Sequence, residues 1–170
     1  MPTPQHQSGV LGEAFVAAWL QQQGWELVVQ RWRCRWGELD VVARSPTSKK
    51  NQPKVLAFVE VKTRSRKNWD QDGLLALIPS KRNKLIRAAQ AFLSEFPELS
   101  DDACRFDVAA VRCDHLSTAP SNIPANQAFA LPDHLDLAQQ CPNISLARSQ
   151  VVHSHRLTLQ HHIPNAFDLS

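Results

Sequence analysis

Two acidic residues and a lysine have the types and the spacing that metal-dependent hydrolysis requires. Glu60 and Lys62 end an apolar run that begins at Val55, and Asp40 lies 20 positions before Glu60 in a second apolar segment. Carboxylate oxygens are the ligands that Mg²⁺ prefers. A lysine beside the ion can help to deprotonate a bound water or neutralise the charge that develops on a phosphate. The set therefore suits hydrolysis of a phosphodiester whose backbone is held by arginines.

The same residues have a plainer interpretation. Side chains two positions apart on a strand lie on one face, so Glu60 and Lys62 can form a structural ion pair. Half-burying two charges is unfavourable unless they have partners or a metal. Glu13, on a predicted first helix, fits a metal site and fits equally a solvated carboxylate that the helix dipole favours. Both interpretations stay open at this point.

The elements that would position these residues follow one another in a simple order. Apolar periodicity and capping residues predict a helix from Ser8 to about Gln23, strands at 25–29, 37–43 and 55–62, a helix at 81–95 capped by Ser80, and strands at 105–111 and 155–161. We expect the second and third strands to form a hairpin, and the fourth to lie parallel to the third after a helical crossover. Asp40 and Glu60 would then lie on neighbouring strands.

Alternation along the chain sorts further side chains onto faces. On the second strand it places Glu38 and Asp40 on one face and Leu39 and Val41 on the other. Just before that strand, arginines share one face and larger, inward-packing side chains the other: Arg31, Arg33 and Arg35 against Trp32, Cys34 and Trp36. Such a row of guanidinium groups could follow a phosphate backbone while the tryptophans pack in the core.

Positive charge is concentrated in the first two thirds of the chain. Residues 1–112 hold 17 Lys and Arg against 12 Asp and Glu, whereas residues 113–170 hold 2 against 4. A basic face fits an anionic partner such as nucleic acid, although a solvated surface explains so modest an excess as well. Further candidate contacts to nucleic acid lie after the third strand and at the start of the second helix: Arg64, Arg66, Lys81 and Lys84. The helix dipole disfavours cations in that first turn, so an anion is expected beside them.

Length and composition predict a single folded domain. The chain has 170 residues, of which 43% are hydrophobic and 21% charged, as in ordinary globular proteins. We expect a disordered tail at residues 1–7 and one domain over residues 8–170. Within it, residues 8–113 would form the core, residues 114–152 a proline-rich irregular insertion with a short helix near Asp133–Gln140, and residues 153–170 a terminal, edge-like strand.

The sequence predicts a cytoplasmic protein without membrane spans. It has no run of roughly 18 apolar residues, and its first residues lack the pattern of a signal peptide. The four cysteines lack Cys-x-x-Cys spacing and are expected to be free thiols: Cys34, Cys104, Cys113 and Cys141. The histidines at 153, 155, 161 and 162 have no acid or cysteine at a ligand spacing, which disfavours a zinc site.

Several motifs occur in an order that resembles one family. The pattern Asp40…Glu60-x-Lys62 is that of the PD-(D/E)xK nucleases, with Leu-Asp in place of Pro-Asp. The wider motifs are Gly12-Glu13…Ala17, Arg33…Gly37-Glu38-Leu39-Asp40, Phe58-Val59-Glu60-Val61-Lys62-Thr63-Arg64, Lys81…Ala88-Ala89 and Arg105-Phe106-Asp107-Val108. Together they closely resemble the YraN family, bacterial proteins predicted to have a restriction-endonuclease-like fold and related to archaeal Holliday-junction resolvases. The resemblance covers about residues 8–113 and resumes at residues 161–167.

The resemblance implies a fold and a set of roles. The fold would be α/β, with an αβββαβ core whose mixed central sheet is flanked by helices, and a C-terminal strand after the insertion. Asp40 and Glu60 would bind metal, Lys62 would be the catalytic lysine, and Glu13 would match the helical acid of resolvase-like members. The main-chain carbonyl of Val61 would be a further ligand. The implied cofactor is magnesium, with manganese as the alternative.

Three functions are carried forward from the sequence. The first is a magnesium-dependent endonuclease acting on DNA, in particular branched or structured DNA, with a homodimer expected by analogy to the resolvases. The second is a non-catalytic nucleic-acid-binding module that keeps the nuclease fold. The third is an assembly protein in which Glu60 and Lys62 form only a structural ion pair.

Overall fold

Within the part of the chain that the structure describes, six strands form one mixed sheet with a helix on each face. The computed structural model describes residues 4–46, 53–65, 78–116, 149–152 and 154–167. The elements are α1 (Pro4–Gln22), β1 (Glu26–Cys34), β2 (Gly37–Arg44), β3 (Val55–Arg64), α2 (Pro79–Glu95), a 3-10 turn (Pro97–Leu99), β4 (Ala103–His115), β5 (Ser149–Val152) and β6 (His155–Phe167). Neither helix in these ranges is long and apolar enough to cross a membrane.

The strand order is β1-β2-β3-β4-β6-β5. β3 and β4 run parallel, and every other neighbouring pair is antiparallel. The predicted hairpin of β2 and β3 and the parallel crossover from β3 to β4 are therefore both confirmed. So is the predicted fold class, an αβββαβ core with a mixed sheet between helices, which is consistent with a restriction-endonuclease-like fold.

Each face of the sheet has its own hydrophobic core. On β3, Val59 and Val61 pack beneath α1 with Phe15. Leu56 and Phe58 of the same strand pack beneath α2. Since side chains alternate along a strand, Glu60 and Lys62 follow Phe58 on the α2 side. The apolar run of β3 thus supplies both cores and carries its two charges out beneath the second helix.

α1 approaches β3 closely at Gly12. A Cβ atom added to this glycine would overlap Oγ1 of Thr63 and lie 3.1 Å from the Thr63 Cβ. Rotating the threonine side chain does not move its Cβ, so the crowding would remain. Gly12 therefore sets the distance between the helix and the strand that carries Glu60.

A buried carboxylate ties β6 to β4. The Asp107 side chain is fully buried. It accepts hydrogen bonds from Nη2 of Arg105 and from the backbone N–H of Asn165, both at 3.0 Å. The Nε2 atom of His162 lies 3.0 Å from Oδ2 of Asp107, the oxygen that Arg105 also contacts. Asn165 has a positive φ of 52°, which asparagine tolerates better than most residues, so the end of β6 bends to deliver its N–H to Asp107.

The far end of the sheet is held by a second ion pair. Arg44, the last residue of β2, places Nε 2.6 Å and Nη2 3.0 Å from the two carboxylate oxygens of Asp102, which precedes β4. The backbone N–H of Ala103 also donates to the carbonyl of Lys54 at 2.9 Å. Bidentate arginine–carboxylate pairs fix geometry as well as energy. These contacts therefore hold β2, β3 and β4 together at this end of the sheet.

The helix starts differ from those predicted. α1 begins at Pro4, so residues 4–7 are helical where a disordered tail was expected. α2 begins at Pro79 after Ile78, and Ser80 lies inside the helix instead of capping it. Proline is well suited to the first helical turn, because its missing N–H would have no partner there. Both prolines therefore start helices that the Ser-cap rule placed later.

The C-terminal edge of the sheet also differs. β4 continues to His115, and β5 occupies Ser149–Val152, at the end of the expected insertion. β5 is the edge strand, so β6 is paired on both sides and the prediction of an edge-like last strand is wrong. A four-residue edge strand has too short a pattern to recognise alone. The short helix expected near Asp133–Gln140 lies outside the described residues, and the domain boundaries stay predictions.

Replacing Gly12 with alanine should destabilise the fold. Alanine is the better helix former by about 1 kcal/mol, but the new methyl group would collide with Thr63 and cost about 1–3 kcal/mol. We therefore expect a lower free energy of unfolding in urea for Gly12→Ala. Gly9→Ala is the matched control, because a Cβ there would meet its nearest atom at 3.8 Å. An equal or opposite effect of the two substitutions would contradict the close approach of α1 to β3.

Candidate active site

β2 and β3 separate where the acidic residues are located. Their pairing runs from Arg44 and Leu56 to Val41 and Val59 and continues no further among the described residues. Beyond it, Oδ2 of Asp40 accepts the backbone N–H of Val61 at 2.8 Å. A side chain thus replaces the strand partner that Val61 loses. The separation leaves a cleft without orphaning a backbone donor.

Glu60 is buried at the base of this cleft and is paired with two lysines. Only 4% of the residue is exposed. Its Oε1 atom lies 3.6 Å from Nζ of Lys62 and accepts a hydrogen bond from Nζ of Lys81. The sequence predicted an anion beside the cations that open α2, and for Lys81 that anion is Glu60. Lys81, predicted to contact nucleic acid, is therefore part of the cleft's ion-pair network.

The two lysines have opposite electrostatic environments. Burial is the main cause that lowers the pKa of Lys62, and the neighbouring Lys81 lowers it further against the attraction of Glu60. Burial also acts to lower the pKa of Lys81, but the hydrogen bond and the charge of Glu60, with a contribution from Asp40, raise it overall. Lys81 is thus held as the charged partner of Glu60, while Lys62 is the amine that more readily gives up its proton.

Glu13 faces the same cluster from α1. Burial raises its pKa to about 7, opposed by Arg31 and reinforced by the charges of Glu38 and Glu60. Nε of Arg31 lies 3.2 Å both from Oε2 of Glu13 and from Oε1 of Glu38. The contact to Glu13 is an ion pair without hydrogen-bond geometry, because Glu13 Oε2 has no hydrogen-bond partner in the described part of the chain. Glu13 is thus a half-buried acid with one buried, unsatisfied oxygen.

The acids concentrate negative charge in the cleft. Burial raises the pKa of Asp40 well above its usual range, and the charges of Glu60 and Glu13 raise it further, against the Val61 N–H and Lys81. Mutual repulsion of this kind is relieved by a cation, and carboxylate oxygens suit a hard divalent one. Asp40, Glu60 and Glu13 could supply such oxygens. Among the described residues, however, no three acidic, histidine or cysteine side chains are close enough to hold one ion together.

One oxygen of the Glu60 carboxylate is already occupied. Its Oε1 accepts a hydrogen bond from Lys81 and is not free for a metal while that bond lasts. Coordination by Glu60 together with Asp40 would use its other carboxylate oxygen, or would follow release of Oε1 by Lys81. The predicted role of the Val61 carbonyl as a ligand stays a prediction.

The cleft has a volume of about 460 Å³. Asp40 and Glu60 line it from the sheet, Trp36 from the turn after β1, and Lys81 and Lys84 from α2. Lys84 is exposed there and lacks a described acidic partner. The cleft thus combines acids at its base with a lysine at its mouth, as an anionic substrate that reacts at a metal would require.

The five arginines predicted to contact nucleic acid have different surroundings. Arg31 has a positive φ of 52° and lies half-buried between two acids. Arg33 is 64% exposed, with Nε 3.3 Å from Oε2 of Glu38. Arg35 is exposed in the turn between β1 and β2. Arg64 is exposed at the end of β3, and Arg66 lies outside the described residues.

The tryptophans pack inward as predicted, but the side chains of β2 do not alternate between the faces of the sheet as predicted. Trp32, Cys34 and Trp36 pack against the core beneath α2. Leu39 joins this same core, whereas Val41 joins the core beneath α1, so the prediction that they share a face is wrong. The left-handed backbone of Arg31 lies between the Gln30–Val41 and Trp32–Leu39 pairs, where the alternation is broken.

Sequence reasoning placed Glu38 beside Asp40 but gave it no role in the site. Glu38 contacts both Arg31 and Arg33, and its charge raises the pKa of Glu13. The signal was a second acid close to Asp40 in the same strand. The histidines serve other contacts: His162 binds Asp107, and His155 meets His115 edge to face at 5.1 Å. His153 lies outside the described residues.

The sequence matches one family profile and many curated relatives. The profile, described as "Uncharacterised protein family UPF0102", matches residues 12–111 and so spans Glu13, Asp40, Glu60 and Lys62. A UPF0102 protein of Trichodesmium erythraeum is 43% identical over 165 residues, covering 94% of this chain and 88% of the relative. One of Acaryochloris marina is 40% identical over 175 residues, covering 99% and 96%. One of Synechocystis sp. is 41% identical over 160 residues, covering 94% and 96%.

Replacing Glu13 with glutamine should remove a pH dependence of stability. The folded chain holds a proton on Glu13 up to a pKa of about 7, whereas the ordinary value is 4.5. The folded state therefore binds more protons between these values, and the free energy of unfolding falls as pH rises through them. In EDTA, Glu13→Gln should be more stable than the wild type by about 1–3 kcal/mol at pH 8 and by much less at pH 4.5.

Urea denaturation at the two pH values measures this difference. Glu98→Gln is the control, because Glu98 is an exposed residue of the 3-10 turn. A loss of stability in Glu13→Gln that is larger at pH 8 would contradict the expectation. It would mean that the attraction of Arg31 outweighs the burial of the Glu13 charge.

Proposed function

Because the chain belongs to the uncharacterised protein family UPF0102, the YraN family, we propose that it is a metal-dependent endonuclease that hydrolyses phosphodiesters in DNA, with branched or structured DNA as its substrate. One observation carries the proposal. Asp40 and Glu60 flank the point where β2 and β3 separate and line the cleft there, and Nζ of Lys62 lies 3.6 Å from Oε1 of Glu60. Acids on two neighbouring strands with an adjacent lysine are the parts that phosphodiester hydrolysis at a metal needs.

The side chains of the cleft would divide the work. Asp40, Glu60 and Glu13 would hold Mg²⁺ or Mn²⁺, with the carbonyl of Val61 as a further ligand. When bound, such an ion polarises the phosphate and makes a water more acidic. Lys62 has a pKa lowered by burial, so its amine is suited to take a proton from the attacking water or to face the developing charge. Where a metal displaces Lys81 from Glu60, that ammonium group would become available to the phosphate.

Exposed basic side chains would hold the substrate. Arg33 and Arg64 lie at the surface, Lys84 lies at the cleft itself, and Arg66 would extend the series. Guanidinium groups bind phosphate oxygens in pairs, whereas lysine acts as a point charge. Contacts of this type position a nucleic acid without reading its sequence. A preference for a shape such as a junction is consistent with them.

A second candidate is the non-catalytic nucleic-acid-binding module. The specific observation in its favour is the bond between Lys81 and Glu60, which neutralises the main candidate ligand without a metal. On this hypothesis the acids serve only the fold, and Asp40→Asn would leave binding intact. The expected cytoplasmic location and homodimer stay predictions under either function.

Replacing Glu60 with glutamine should abolish cleavage. The amide keeps the shape and can still pack in the cleft, but it removes the charge that a divalent ion requires. We expect the rate of Mg²⁺-dependent cleavage to fall by at least about 100-fold on linear, nicked or four-way-junction DNA. Calorimetric titration with Mg²⁺ should lose its binding signal in parallel. Glu98→Gln, on the exposed 3-10 turn, should match the wild type in both measurements.

Two results would reject the catalytic proposal. One is equal cleavage by the wild type and Glu60→Gln. The other is no cleavage of any of these DNAs by the wild type with Mg²⁺ or Mn²⁺. Retained DNA binding in the second case would favour the non-catalytic module.

A further inference from the structure

A second groove continues from the cleft and shares Trp36 with it. This groove has a volume of about 620 Å³ and is lined by the β1–β2 turn and by one face of α2. Trp36 lines both the groove and the cleft that contains Asp40 and Glu60. A long ligand that occupies the cleft could therefore follow a continuous path over Trp36 into the groove.

Two arginines stack on Trp36 at this junction. The guanidinium carbon of Arg35, from the β1–β2 turn, lies 4.6 Å from the centroid of the Trp36 ring. That of Arg87, from α2, lies 4.8 Å from it. Cation–π contact fixes the position of a guanidinium group but leaves its five N–H donors available. We call Arg35, Trp36 and Arg87 the arginine shelf.

Neither arginine of the shelf has an acidic partner in the described part of the chain. Arg31, Arg33 and Arg44 are each paired with a carboxylate, but no such contact involves Arg35 or Arg87. Both residues are exposed. Two guanidinium groups held against one ring repel each other, and an anion between or above them would offset that repulsion. The shelf is therefore a site of uncompensated positive charge beside the cleft.

Two polar side chains of α2 extend the groove beyond the shelf, and Cys34 and Ala91 complete its lining. Gln90 and Ser94 follow Arg87 on the same face of α2 at helical intervals, and both are exposed along the groove. Gln90 offers side-chain N–H donors in line with the arginine, whereas the Ser94 hydroxyl donates its O–H to the backbone carbonyl of Gln90 at 2.8 Å. A charged donor followed by a neutral one suits an extended anion better than a single phosphate.

We infer that the arginine shelf binds the sugar–phosphate backbone of a nucleic-acid strand that leaves the cleft, so that Arg35 and Arg87 each contact a phosphate beside the reacting one. This inference rests on the proposed function, because the cleft supplies the direction of the strand. Trp36 has its ring occupied by guanidinium groups and acts as their support; it does not stack on bases. Recognition at the shelf is therefore independent of base sequence. Sequence reasoning named Arg35 as a contact to nucleic acid but did not connect it with Arg87, which lies 52 positions further along the chain.

Binding measured without metal tests the shelf separately from catalysis. The assay is fluorescence anisotropy of a labelled four-way junction and a labelled linear duplex in EDTA, over a series of salt concentrations. Each lost phosphate contact lowers the slope of log K against log salt by about 0.9 on duplex DNA. We expect Arg35→Ala and Arg87→Ala each to weaken binding severalfold and to lower the slope by about 1, and the double variant by about 2, equally for unrelated base sequences.

Two comparisons separate the shelf from a general effect of charge. Arg156→Ala removes one exposed positive charge from β6, three strands away from β2 towards the opposite edge of the sheet, and should leave the slope unchanged. Trp36→Leu keeps the net charge but removes the ring that supports the arginines, and should weaken binding. Arg87→Lys keeps the charge but cannot bind phosphate in a bidentate manner, so it should recover only part of the affinity that Arg87→Ala loses. Thermal unfolding shows whether each variant is folded.

The outcomes also distinguish the shelf from the nuclease. Binding of nucleic acid by the shelf is rejected if Arg35→Ala and Arg87→Ala match Arg156→Ala in affinity and slope, or if the wild type binds neither DNA in EDTA. In that case the cleavage assay with Glu60→Gln still decides the proposed function. If the shelf variants lower the slope of log K against log salt as expected but the wild type never cleaves DNA, binding at the shelf is supported and the nuclease proposal is rejected.

Discussion

The buried charge of Glu60 is the constraint on which the rest of the structure depends. A carboxylate that is 4% exposed destabilises a fold by several kcal/mol unless it is paired. β3 supplies one partner, Lys62, two residues further along the strand. The second partner, Lys81, comes from the first turn of α2, where a cation is otherwise disfavoured. The ion pair therefore fixes where the crossover helix begins over the sheet, and with it the wall of the cleft.

Most of the architecture could be predicted because its main elements have long periodic patterns. β3 and β4 are apolar enough to read as buried strands, and α2 has a clear apolar face, so the parallel crossover followed from the order of elements. The start of α2 could not be predicted from Ser80, because a proline one residue earlier serves the same purpose. β5 was missed because its four residues form a strand by pairing with β6, and so short a segment has no recognisable pattern of its own.

The candidate site was predictable where its members interrupt apolar strands and unpredictable where the fold brings them together. Asp40, Glu60 and Lys62 stand out because charges are unexpected in such runs. Arg31 does not, since its left-handed backbone and its burial between acids depend on the geometry of two paired strands. Lys81 and Arg87 lie on one helix, yet the first reaches Glu60 and the second reaches Trp36. Only the placement of α2 on the sheet separates these roles.

The bond between Asp40 and the backbone of Val61 has a consequence for dynamics. At the opposite end of the sheet, Arg44 and Asp102 hold the strands together, so amide protons there exchange with solvent only through large-scale opening. The amide proton of Val61 is protected by one side-chain oxygen instead of a strand partner. Its exchange rate is therefore set by the motions of a single carboxylate. Any ligand that draws Asp40 away unmasks that proton while the core stays closed, which makes Val61 an internal reporter of occupancy in the cleft.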